Sequence, residues 1–234
     1  MFSLFSTPDW FDGFDLLLQG VGLVIAFLIA AYSWRVYRIH KESRFMYFSL
    51  AFILVSLSFA FNIITNGVLY SFLLRETVAD VLRPVAGQHL RYTGLYYRAG
   101  FFFQMASMLG AWLLIFLISQ KSRARLTKFY EVSQIGLFVY LVLLISVISN
   151  FQSVVFYLTS SVILSLIVLN YYKNYLTTEN KNAWKVMSSF FLILLGNLFL
   201  VFVFLEEGLY VIGELLILAG FLLLLYTYSK VVRR

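Results

Sequence analysis

Apolar residues in this chain come in long, nearly unbroken runs separated by short polar links, with neither the strict alternation of a strand nor a one-sided helical stripe. A helix crossing a hydrocarbon core of about 30 Å needs about 20 such residues. Seven runs approach that length: Leu16–Trp34, Phe45–Leu74, Gly100–Ser119, Val132–Ser149, Val154–Tyr172, Val186–Leu205 and Leu209–Tyr228. The pattern predicts an all-α integral membrane protein, a seven-transmembrane-helix bundle forming one domain over 1–234. The second run is the odd one. As a helix its 30 residues would reach about 45 Å, so it is expected to break near Asn66–Gly67 or to project beyond the bilayer. "NFQS" joins the fourth and fifth runs and "EEG" the last two; links this short make the runs they join antiparallel neighbours.

The links also carry a direction. Fourteen of the eighteen basic residues fall on one side: Arg35, Arg38, Lys41 and Arg44; Lys121, Arg123, Arg125 and Lys128; Lys173, Lys181 and Lys185; Lys230, Arg233 and Arg234. Arg75, Arg83, Arg91 and Arg98 fall on the other, together with Asp9, Asp12, Asp15, Glu76, Asp80, Glu206 and Glu207. Because basic links stay in the cytoplasm, the N-terminus is expected outside and the C-terminus cytoplasmic, in a cytoplasmic or equivalent cell membrane. The acidic N-terminus lacks the basic region of a cleaved leader, so the first run reads as a retained span. Trp10, Trp34, Trp112 and Trp184, with Tyr171, Tyr172, Tyr226 and Tyr228, are expected in the interfacial belts.

Composition sharpens this. The chain of 234 residues is 62% hydrophobic and 12% charged, about half the charge of a soluble domain. The formal charge of +7 lies in juxtamembrane links, where anionic lipid headgroups are the expected contact of Arg35, Arg38, Lys41, Arg44, Lys121, Arg123, Arg125 and Lys128. A membrane or cytoplasmic protein partner at the same surface is the other expectation, and nucleic acid is not. The segment 75–98 is the one sizeable polar connection. "TVADVLRP" within it suits a short helix, either lying on the membrane or covering a cavity.

Candidate chemistry is sparse. There is no cysteine, both histidines fall in links, and the last run has no lysine for a Schiff base. No paired acids sit inside one run. No catalytic residue, metal or cofactor is therefore assigned, and an enzyme is not expected. Proline is missing from every run (Pro8 and Pro84 are the only two), so the usual kink of transporter helices is lacking. Ala106 and Gly110, Ser107 and Ala111, and Gly213 with Ala219–Gly220 are the small residues expected at close helix contacts. They make the third run the expected centre.

Polar residues inside the runs gather toward the predicted outer side: Gln19, Asn62, Asn66, Gln104 and Glu214, with Asn197 near mid-depth. Asn62 and Asn66 share a helix face one turn above Ser58. The plainer reading is hydrogen-bonded glue between helices; the functional one is the lining of an outward cavity. Glu214 favours the second, because an ionisable group at membrane depth is a functional candidate by default.

Seven spans with an outside N-terminus resemble the plan of seven-helix receptors and of the membrane sensor modules of microbial signalling proteins. "DRY" and "NPxxY" are absent, so the likeness is one of topology. It implies a receptor-like or sensory module. An assembly subunit packing on another membrane protein fits the same sequence, and a small-solute or ion transporter using Glu214 as coupling carboxylate is the alternative.

Overall fold

The computed structural model describes residues 11, 13–70, 92–120 and 153–232, and among them it is helical with no strand. Six helices are present: α1 (Phe14–His40), α2 (Ser43–Tyr70), α3 (Tyr92–Ser119), α4 (Ser153–Thr178), α5 (Lys181–Val201) and α6 (Gly208–Val232). Each is long and apolar enough to cross a membrane, and the protein is an α-helical multi-pass membrane protein. The seventh predicted span, Val132–Ser149, lies outside the described residues, as do most of the connection 75–98 and the basic residues Lys121, Arg123, Arg125 and Lys128.

Helix ends follow local chemistry. α1 stops where Lys41 turns left-handed (φ 57°) and gives its backbone N–H to the Tyr37 carbonyl at 2.8 Å. Glu179 makes the same turn after α4 (φ 48°), its N–H reaching the Tyr175 carbonyl at 2.7 Å. Asn180 then caps α5, its side-chain oxygen accepting the Asn182 N–H at 2.9 Å, which satisfies a donor the first helical turn leaves free. Two-residue links of this kind pin α1 beside α2 and α4 beside α5.

One of two expected alternatives is excluded and one boundary is corrected. α2 continues through Asn66 and Gly67 to Tyr70 without a break. The span placed over Val186–Leu205 ends at Val201, with Phe202–Leu205 in turns held by N–H bonds to the third residue back. Apolar content measures affinity for lipid and not the persistence of the helix, so the run outlasts the helix.

Each described helix packs on the next in chain order, and α6 returns to α1, closing a ring. We call the end where α1 begins the head, and the end where it turns into α2 the foot. Phe48 against Tyr228 and the Asn170 amide donating to Ser119 Oγ (3.0 Å) mark the foot; Phe11 against Tyr210 and Phe101 against Phe156 mark the head. α3 and α4 therefore run the same way, as do α1 and α6.

The middle of the ring is filled by rings of another kind. Phe221 of α6 meets Phe52 (6.3 Å between centroids), Phe59 (5.7 Å) and Trp112 (6.4 Å, nearly parallel). Trp112 also meets Phe190 edge-on, and Phe190 stacks on Tyr171. Offset and edge-to-face pairs of this sort are the favoured aromatic geometries. Trp112 is thus a core residue, 1% exposed, and not the belt residue its sequence neighbourhood predicts; Trp34 and Trp184 are exposed, as a belt requires. Leu17, Val24, Phe27, Leu50, Ile53 and Leu166 are among the large apolar side chains that face outward, which in lipid carries no penalty.

α5 and α6 approach each other backbone to backbone. A Cβ built on Gly196 would lie 2.6 Å from the Gly213 carbonyl oxygen, and one on Gly220 would lie 2.8 Å from that of Ser189. Gly110, expected at a tight contact of α3, meets only Leu54 Cδ1 at 3.8 Å. The tight contact expected at Gly110 is found instead at Gly196, Gly213 and Gly220 of α5 and α6.

Candidate functional site: a buried polar head

The predicted polar residues separate into distinct groups. Asn66 donates to Asn62 along α2 (3.0 Å), and Ser58 donates to the backbone carbonyl of Gln104 on α3 (2.9 Å). Thr65, bonded to the Phe61 carbonyl at 2.7 Å, fills the space that a side chain at Gly100 would need. Only the Ser58 bond and the Thr65–Gly100 contact join α2 to α3; the Asn66–Asn62 bond stays within α2, and Asn62 and Gln104 are half-buried. Asn197 turns back on its own helix, donating to the Ile193 carbonyl at 2.9 Å.

Glu214 and Gln19 belong to a second group, between α1 and α6. Phe11 and Tyr210 pair edge-on at the head. One turn inward are Asp15 on α1 and Glu214 on α6, both buried. Another turn along α1 comes Gln19, 1% exposed, with neither its amide nitrogen nor its amide oxygen partnered. Below that, Phe59 reaches over Gly22, 3.2 Å from where a Cβ would stand, and meets Phe221. Because α1 and α6 are parallel and advance together, residues four apart on each form successive layers: an aromatic cover, two carboxylates, an amide, and the aromatic floor.

Asp15 is the member sequence reading assigned to the outer link. The first span was read as starting at Leu16, but α1 starts at Phe14 and takes Asp15 into its first turn, where Oδ1 accepts the backbone N–H groups of Gly13 (3.1 Å) and Leu16 (2.7 Å). A carboxylate is favoured at a helix N-terminus. A signal was available, since Asp15 and Gln19 have the same four-residue spacing as Asn62 and Asn66. Arg98 is exposed on α3.

Arg35, Arg38, Lys41 and Arg44 are all exposed around the α1–α2 turn, and Lys173, Lys181 and Lys230 are exposed at the same end. Glu206 and Glu207 are exposed at the head.

Chemically, the head group offers oxygen donors and no thiol or imidazole, and no cluster of three or more His, Cys, Asp or Glu occurs among the described residues. Comparison with known proteins finds no matching family model, no matching curated protein and no matching solved structure.

Proposed function

We propose that the chain is a non-enzymatic, receptor-like membrane module that takes up a small ligand at its head and presents its foot to anionic lipid and to a protein partner. One observation carries this reading: the buried polar layers between α1 and α6 end on a packed aromatic floor. A transporter needs polar groups that continue toward the opposite face. Here Phe52, Phe59, Trp112, Phe190 and Phe221 occupy that route, four of them at 2% exposure or less.

The reading includes seven spans with the head outside. Residues 120 and 153 lie at opposite ends of the bundle, as the contacts of Ser119 and Phe156 require, which supports Val132–Ser149 as a further crossing. Basic residues at the foot support its cytoplasmic placement.

Reconstitution in sealed vesicles tests the choice between binding and transport. The expected result is no sodium or proton flux above that of protein-free vesicles. Flux that falls on Glu214→Gln would overturn this reading in favour of a transporter with Glu214 as coupling carboxylate.

A further inference from the structure

We propose that Lys181, Lys185 and Lys230, with the ring of Tyr226, form a site at the foot of α5 and α6 for a phospholipid whose headgroup bears two phosphates. The proposal rests on the reading of the foot as a surface for anionic lipid, and it names the lipid class and the place.

The antiparallel pairing of α5 and α6 brings the site together. Gly196 packs against Gly213, and Gly220 against Ser189 and Ile193. Continued toward the foot, this register sets Lys185 beside Tyr226, and the Lys185 ammonium lies over that ring, 5.2 Å from its centroid. One turn nearer the foot come Lys181 on α5 and Lys230 on α6, each four positions along the same helix face. Three ammonium groups thus belong to about one turn of two adjacent helices, roughly 6 Å of rise. Lys181 and Lys230 are exposed, and none of the three makes an ion pair with a carboxylate among the described residues.

The direction of Lys185 points to a ligand. A lysine that only escapes from lipid extends toward water while its stem lies on apolar surface. Lys185 instead crosses to α6 and stays half-buried over Tyr226, so its charge is held at the seam that Lys181 and Lys230 flank. Like charges gathered there repel, and an anion between them reverses the sign of the interaction.

The surroundings select a lipid over a soluble anion. Ile212, Leu215, Leu222 and Tyr226 are exposed and recur, with Lys230, at the spacing of one face of α6. Apolar surface for an acyl chain therefore leads directly to the ring and the ammonium groups. Trp184, next to Lys185, is exposed and pairs with Tyr175 at 5.1 Å; exposed tryptophan marks the level of the headgroups. Three positive charges exceed the single charge of one phosphodiester, and two phosphates on one headgroup match them more closely.

Native mass spectrometry of the whole protein in uncharged detergent, titrated with tetraoleoyl cardiolipin, dioleoyl phosphatidylglycerol or dioleoyl phosphatidylcholine, counts the lipid bound. The expected result is a first cardiolipin held on the order of tenfold more tightly than phosphatidylglycerol. Lys181→Gln/Lys185→Gln/Lys230→Gln should abolish that preference. Arg35→Gln/Arg38→Gln/Lys173→Gln, which removes equal charge elsewhere at the foot, should keep it. Lys230→Gln alone, at an exposed position, guards against a variant that fails to fold and should weaken cardiolipin binding roughly threefold. A preference that the site variants retain in full, or that both triple variants lose equally, overturns the proposal. Displacement of cardiolipin by equimolar inorganic diphosphate or by an acidic peptide overturns lipid as the occupant. Equal binding of the two anionic lipids, both above phosphatidylcholine, removes the site and keeps the foot as an anionic-lipid surface. No preference for either over phosphatidylcholine removes both.

Discussion

At the scale of single residues, adjacent positions on α6 have opposite fates. Phe221 is fully buried and touches rings from α2 and α3, while Leu222 is 49% exposed on the lipid side. Truncating a buried Phe costs about 3–5 kcal/mol in water-soluble cores. Lipid is as apolar as the bundle interior, so the transfer share disappears and the cavity share stays; Phe221→Ala should cost on the order of 2 kcal/mol. Leu222→Ala should fall within about 0.5 kcal/mol of wild type. Reversible unfolding in mixed micelles measures both, and equal losses at the two positions would remove the aromatic floor as a packing element. Ser160 offers the opposite sign. Its hydroxyl is buried without a partner, so Ser160→Ala should unfold no more easily than wild type in the same assay. Which residue of such a pair faces inward was not readable from the run "AGFLLLLY", because every position in it is equally at home in lipid.

At the scale of elements, the α5–α6 crossing brings backbone against backbone with no room for a methyl group. A methyl on Gly196 meets a backbone oxygen of Gly213 at 2.6 Å and Ile217 Cγ1 at the same distance. Backbone cannot step aside as a flexible side chain does, so Gly196→Ala must push α5 and α6 apart along their length. Gly110→Ala meets only the far end of Leu54 at an ordinary distance, and there the gain in helix propensity, about 0.5–1 kcal/mol, should dominate. We expect a lower melting temperature for the first and an unchanged or higher one for the second. Sequence reading did identify Gly213 and Gly220 as contact glycines, but it gave α3 the same status on the strength of Ala106 and Gly110. Small residues permit close approach without choosing a partner. A tight crossing needs a small residue on the facing helix at the same height, and that match of Gly196 to Gly213 exists only once α5 and α6 are folded together. Helix ends were misplaced for a related reason: the Val201 stop and the start of α1 at Phe14 depend on turns and on the Asp15 carboxylate, neither of which alters the hydropathy of the run.

At the scale of the whole molecule, the presence of long apolar helices, six of them among the described residues, and the exposure of the basic residues beside them were legible because both follow from the free energy of placing side chains in lipid or water. The return of α6 to α1 was not, and the head site depends on it, since Asp15 and Glu214 are 199 positions apart in sequence and no local pattern relates them. The direction of the bundle is the remaining property that one experiment decides. Described basic residues Arg35, Arg38, Lys41, Arg44, Lys173, Lys181 and Lys230 are exposed at the foot, while exposed Glu206 and Glu207 are at the head. Positive charge is retained in the cytoplasm during insertion, so this asymmetry should hold the foot inside. The chain has no cysteine, and each single-cysteine variant therefore carries one reporter thiol. A membrane-impermeant maleimide applied to intact cells should label Glu207→Cys, and should reach Ser43→Cys and Lys181→Cys only after the membrane is opened. The reverse pattern would place the acidic layers toward the cytoplasm. Labelling of Glu207→Cys and Ser43→Cys from the same side is incompatible with α1 as a crossing helix, because Glu207 is at the head where α1 begins and Ser43 at the foot where it ends, and 27 helical residues, about 40 Å of rise, separate the two.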